Sequence, residues 1–71
     1  MTSRRWHAGG KQLSVCVYGQ DVTIRRGTAL VVDQRPWSDA VTWAQTTRHL
    51  RADGGALRAD LINFIKSQVT C

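Results

Sequence analysis

The side chains best placed to do chemistry with a partner are arginines set beside aromatic rings and turns. Arg4-Arg5 precede Trp6, Arg25-Arg26 precede a turn at Gly27, and Arg35 stands two residues before Trp37. Arg48, Arg51 and Arg58 gather around a glycine-containing break. A guanidinium holds phosphate through its fork of N–H donors, and a neighbouring ring can stack on a base. A β-hairpin carrying Arg25 and Arg26 has the shape of a ribbon that enters a nucleic-acid groove. The candidate contacts are therefore Arg4, Arg5, Arg25, Arg26, Arg35, Arg48 and Arg51, with Trp6 or Tyr18 for stacking. The same residue types have structural uses. Exposed Arg at a strand end guards a sheet edge, and Trp is more often buried in a core or protein interface than stacked on a base. Trp37 and Trp43 are accordingly read as core or protein-interface residues.

The charge balance points the same way. Ten Lys and Arg face five Asp in 71 residues, and there is no Glu, giving a net charge of +5. So basic a small domain favours a polyanionic partner, either nucleic acid or an acidic protein surface. Asp39 and Asp60 have Trp43 and Phe64, not bases, four residues on. The helical carboxylates are thus not expected to neutralise bases further along their own helices. The bases are not collected on one amphipathic helix, which argues against a membrane surface. No apolar run approaches the roughly 20 residues of a membrane span, and the basic start lacks the apolar segment of a secretory signal.

Other chemistries find little to work with. His7 and His49, the five Asp and the Ser and Cys residues show no spacing that brings nucleophile, base and orienting group together, so the chain is not expected to be an enzyme. Cys16, Cys71, His7 and His49 lack the close ligand pairs of zinc sites, and neither Gly9-Gly10 nor Gly54-Gly55 forms a phosphate loop. No metal or cofactor is expected. Two isolated cysteines suit free thiols in a reducing cytoplasm, with a Cys16–Cys71 bridge as the alternative.

These residues must be carried by a small fold. Residues 1–71 read as a single domain, with 1–10 either a mobile basic arm or an extra edge strand over Arg4 to His7, turned by Ala8-Gly9-Gly10. Lys11 to Tyr18 alternates, with Leu13, Val15 and Val17 on one face and Ser14, Cys16 and Tyr18 on the other. Asp21 to Arg26 alternates again, and Ala29 to Asp33 is a short apolar strand. Pro36 closes the extended half. Ser38 is the expected N-cap of a helix running to about Arg51, with Asp39 in its first turn and Arg48, His49 and Arg51 in its last. Trp37, Ala40, Val41, Ala44 and Thr47 form its apolar face, flanked by Trp43 and Leu50. A second helix from about Ala56 to Gln68 carries the stripe Leu57, Leu61, Phe64 and Ile65, with Ala59, Asp60, Asn63, Lys66 and Ser67 facing solvent. The result is an α+β fold: a three- or four-stranded antiparallel β-meander followed by two α-helices packed on one face.

A three-layer core is hard to fill with a chain this short, so surplus apolar surface is expected to meet another chain, most simply a second copy in a homodimer. The order of a three-stranded sheet and a helix, over about residues 11–52, is similar to that of the small arm-type DNA-binding domains of some phage and transposon integrases. It is a likeness of topology carried by no motif. The small, basic, Arg-rich chain also resembles accessory proteins of phages and plasmids. Two functions are expected on these grounds. One is a nucleic-acid-binding module working through the Arg-rich strand ends and turns. The other is a phage-type inhibitor or adaptor that docks on a host or defence protein through its sheet edge, Trp37 and Trp43.

Overall fold

The computed structural model describes residues 2–8, 10–50 and 56–69. Four strands, β1 (Thr2–Ala8), β2 (Lys11–Tyr18), β3 (Asp21–Arg26) and β4 (Ala29–Pro36), form one antiparallel sheet in the order β1-β2-β3-β4. Helix α1 (Trp37–Thr46), a short 3-10 turn (Arg48–Leu50) and helix α2 (Ala56–Val69) follow. The α+β class and the meander-then-helices order are as the sequence implies. Thr2–Ala8 form a paired edge strand, with Trp6 opposite Leu13 and Ala8 opposite Lys11.

Two-residue turns join β2 to β3 and β3 to β4, and this sets their register. Gly19 and Gly27 adopt φ near +63° and +62°, the left-handed conformation that two-residue hairpin turns require and that glycine takes without a Cβ clash. The Gly27 N–H donates to the Gln12 carbonyl at 2.8 Å. Strand alternation does the rest. Leu13, Val15, Val17, Val22, Ile24 and Val32 are buried on one face. They meet Ala40, Val41 and Ala44 of α1, Leu50 of the 3-10 turn, and Leu57, Leu61, Ile65 and Val69 of α2. Sheet and helices thus make two layers around one core.

Strand β4 runs three residues beyond the expected Asp33. It pairs with β3 as far as Asp21 opposite Pro36, through register shifts on either side of Ile24. Each shift places an extra β4 residue against β3 and bends the strand. At the second, Gln34 takes φ 48°, and its N–H donates to Thr23 Oγ1 at 3.2 Å.

Helix α1 differs from expectation at both ends. It starts at Trp37, whose N–H donates to the Gln20 carbonyl at 2.8 Å. The β2–β3 turn therefore satisfies the first amide of a helix that begins one residue before Ser38, and Ser38, the expected N-cap, lies inside the first turn. The helix stops at Thr46, not near Arg51, because Thr47 is extended (φ −70°, ψ 145°). Arg58 of α2 reaches across and donates to the Gln45 and Thr47 carbonyls at 2.9 and 2.8 Å. A cation placed there suits the negative end of the helix dipole. That work belongs to Arg58. Arg48 lies in the 3-10 turn, and Arg51 lies outside the described residues.

Much of the expected apolar surplus is taken up internally. Trp6, Trp37 and Trp43 are half-buried against the core with Val31, Ile62 and Phe64. Among the described residues the large exposed hydrophobics are Tyr18 (67%) and Leu30 (44%).

Candidate functional site

Period two divides each pair of adjacent arginines. On β3, Val22 and Ile24 point to the helices, so Arg26 does too and Arg25 points away. On β1, Trp6 packs towards the helices, so Arg4 shares its side and Arg5 does not. The pairs Arg4-Arg5 and Arg25-Arg26, all four named as candidate contacts, are therefore split across the sheet.

Of the inward members, Arg4 is held by named partners of the fold. The Arg4 guanidinium lies 5.1 Å from the Trp6 ring centroid, and its Nη2 is 3.2 Å from Asp60 Oδ2. The same oxygen accepts the Trp6 indole N–H at 2.7 Å. Trp6 also meets Phe64 edge-on, with centroids 5.7 Å apart and planes at 73°. Asp60, expected to face solvent, is instead a half-buried anchor between β1 and α2. Arg26 is half-buried and its Nε has no hydrogen-bond partner. Arg35 is paired with Asp39, Nη2 to Oδ2 at 3.2 Å, so the α1 carboxylate does find a base, four residues before it. Trp6 is committed to this packing, which leaves Tyr18 as the exposed ring.

The outward members come together on the open face. The β1–β2 register sets Arg5 opposite Ser14, and the β2–β3 register sets Ser14 opposite Arg25. The three form one row across three strands, with the two arginine Cα atoms about 10 Å apart. Arg5, Gln12, Ser14, Arg25 and Gly27 line a shallow open depression of about 280 Å³. Both arginines are exposed and have no ion-pair partner among the described residues. Two unit charges about 10 Å apart in water repel by only about 0.4 kcal/mol. The fold therefore tolerates the pair without a carboxylate, while an anion seated between them interacts favourably with both. Ser14 adds a hydroxyl to the floor.

Tyr18 lies on the same face, four residues along β2 from Ser14 and so about 13 Å away. The Ser3–Cys16–Thr23 row between them is uncharged. Asp21 stands directly opposite Tyr18, so the positive charge of the open face lies at the Arg5–Arg25 end. His7 is exposed opposite Gln12 at the margin of the depression. Cys16 is a free, half-buried thiol; Cys71, its alternative partner, lies outside the described residues. Arg48 is exposed at the far end of the helical layer. Trp37 and Trp43 sit on α1 against the core.

Ser14, Gln12 and Gly27 were not singled out from the sequence. The alternation of β2 already put Ser14 on the Tyr18 face, but only the pairing of β1 brings Arg5 beside it. Among the described residues, no group of three or more metal-ligating side chains gathers, and no helix is long and apolar enough to cross a membrane. No family model matches the chain, and neither a curated protein nor a solved structure matches it.

Proposed function

We propose that this chain is a small, basic, non-enzymatic cytoplasmic module that holds nucleic acid on the open face of its sheet. The observation that carries the reading is the Arg5–Ser14–Arg25 row, two unpaired guanidiniums flanking a hydroxyl in a solvent-open depression. A phosphate seated there receives charge-assisted hydrogen bonds from both sides, and the net charge of +5 draws a polyanion towards it. Tyr18 offers a stacking surface further along the strand. The alternative, an inhibitor or adaptor that docks on a host or defence protein through its sheet edge, Trp37 and Trp43, has less support at the two rings, which are half-buried against the core.

The test is fluorescence anisotropy with labelled single-stranded DNA, duplex DNA and RNA at low and near-physiological salt. The expected result is micromolar or tighter binding to at least one of them, weakening steeply with salt. Flat traces with all three at low salt would end the nucleic-acid reading.

A further inference from the structure

The two edges of the sheet are built differently. Strand β4 carries two register shifts, a left-handed Gln34, and Pro36, which has no N–H to donate. Bulges and proline are devices that close an edge to further strands. Strand β1 has none of them. It is regular over seven residues, paired in continuous register from Thr2 opposite Val17 to Ala8 opposite Lys11.

The hydrogen-bonding direction of β1 follows from its neighbours. The Gly27 N–H donates to the Gln12 carbonyl, so the even residues of β2 bond to β3 and its odd residues bond to β1. The odd residues Leu13, Val15 and Val17 stand opposite Trp6, Arg4 and Thr2. The even residues of β1 are thus occupied by β2, and the backbone N–H and C=O groups of Ser3, Arg5 and His7 point outward along an open edge.

Charge decides what that edge accepts. The chain has no acidic residue between Thr2 and Gln20, while this stretch holds Arg4, Arg5 and Lys11; Asp60 of α2 pairs with Arg4 on the covered face, and Arg5 on the open face has no ion-pair partner among the described residues. A second copy is disfavoured. The two antiparallel registers that pair most of the strand with its own counterpart set Arg5 against Arg5 or Arg4 against Arg4, and like charges directly opposite are destabilising.

We infer that the β1 edge is a docking site for an acidic, extended peptide segment of another protein, added antiparallel as a fifth strand. Its backbone bonds to Ser3, Arg5 and His7, and a carboxylate on the open face lies opposite Arg5. Main-chain bonding supplies affinity, and the alternating side chains supply selection for acid. This site shares the Arg5 side chain with the depression of the nucleic-acid reading but rests on the backbone of β1, so protection of the Ser3, Arg5 and His7 amides tells the two apart.

The probe is a labelled eight-residue peptide alternating Glu and Thr, with a Lys-for-Glu counterpart, added to the full chain and followed by amide exchange and NMR. The acidic peptide is expected to slow exchange at Ser3, Arg5 and His7 at least tenfold and to leave β4 amides unchanged, while the lysine peptide does neither. Ser3→Pro and His7→Pro each remove an outward N–H without touching the bonds to β2, and each is expected to weaken binding at least tenfold. Should either variant fail to fold, N-methylation of alternate peptide residues decides the matter with the unaltered protein. One set is expected to abolish binding and the other to spare it. Equal binding of both charge types, binding without protection of those three amides, indifference to both methylated sets, or no binding at about 1 mM peptide each overturns the inference.

Discussion

The two faces of the sheet use the same residue type for opposite purposes. Arg4 and Arg26 point into the helical layer, where Arg4 lies over Trp6 and pairs with Asp60. Arg5 and Arg25, their immediate neighbours in sequence, point into water with no ion-pair partner among the described residues and meet across Ser14. Nothing in the residue types separates the two sets. The difference is one step of strand alternation, which puts one guanidinium of each sequence-adjacent pair on the helix-facing side and the other on the open face. A dibasic dipeptide on a strand is therefore not a dibasic surface. The surface is made across strands, from residues 20 apart in the chain.

If the faces divide the labour in this way, covered-face substitutions should act on stability and open-face substitutions on binding. The largest effect is expected at Leu61, which is fully buried. Leu61→Ala should cost about 2–5 kcal/mol, comparable to the roughly 3–5 kcal/mol available to a core of this size. Urea denaturation followed by tryptophan fluorescence should find the variant at or beyond the edge of unfolding.

Next comes Arg5→Ala with Arg25→Ala. On the proposed reading, nucleic-acid affinity should fall about tenfold or more and the salt slope should shrink by roughly two. The urea midpoint should barely move, because exposed residues without partners contribute within about 0.5 kcal/mol. Trp6→Phe sharpens the contrast from the other side. It keeps the ring against Phe64 and deletes the N–H that Asp60 accepts at 2.7 Å. A loss of about 1–2 kcal/mol in stability is expected, with binding unchanged in the same anisotropy assay. The smallest effect is expected at Tyr18. Tyr18→Ala should weaken single-strand binding by about 1 kcal/mol, the low end for a stacked base, since Asp21 stands opposite it.

Much of the fold is legible because its signals are local. Leu13, Val15 and Val17 announce a half-buried strand by period alone, and Leu57, Leu61 and Ile65 announce a helix face. What escapes depends on distant partners. The end of α1 is fixed by an extended Thr47 and by Arg58, which arrives from another helix. The length of β4 depends on bulges that let Asp33, Gln34 and Arg35 stay in the sheet. Asp60 reads as solvent-facing on its own helix because its partners, Trp6 and Arg4, are more than 50 residues away.

The candidate site is intermediate. Alternation of Val22, Thr23, Ile24 and Arg25 is enough to separate Arg25 from Arg26. Joining Arg25 to Arg5 needs the pairing of β1, and that rests on the turn between Ala8 and Lys11. Sequence thus names Arg5 and Arg25 among several arginines, while register decides which of them share a surface.

The most direct test of the division between faces compares Arg25→Ala with Arg26→Ala. Nucleic-acid affinity would be measured for both variants and the parent chain across a range of salt concentrations. The two substitutions remove the same charge one residue apart. If the division holds, Arg25→Ala weakens binding and lowers the salt slope by about one, while Arg26→Ala leaves the slope unchanged. Equal losses from the two variants, or a larger loss from Arg26→Ala, would contradict it.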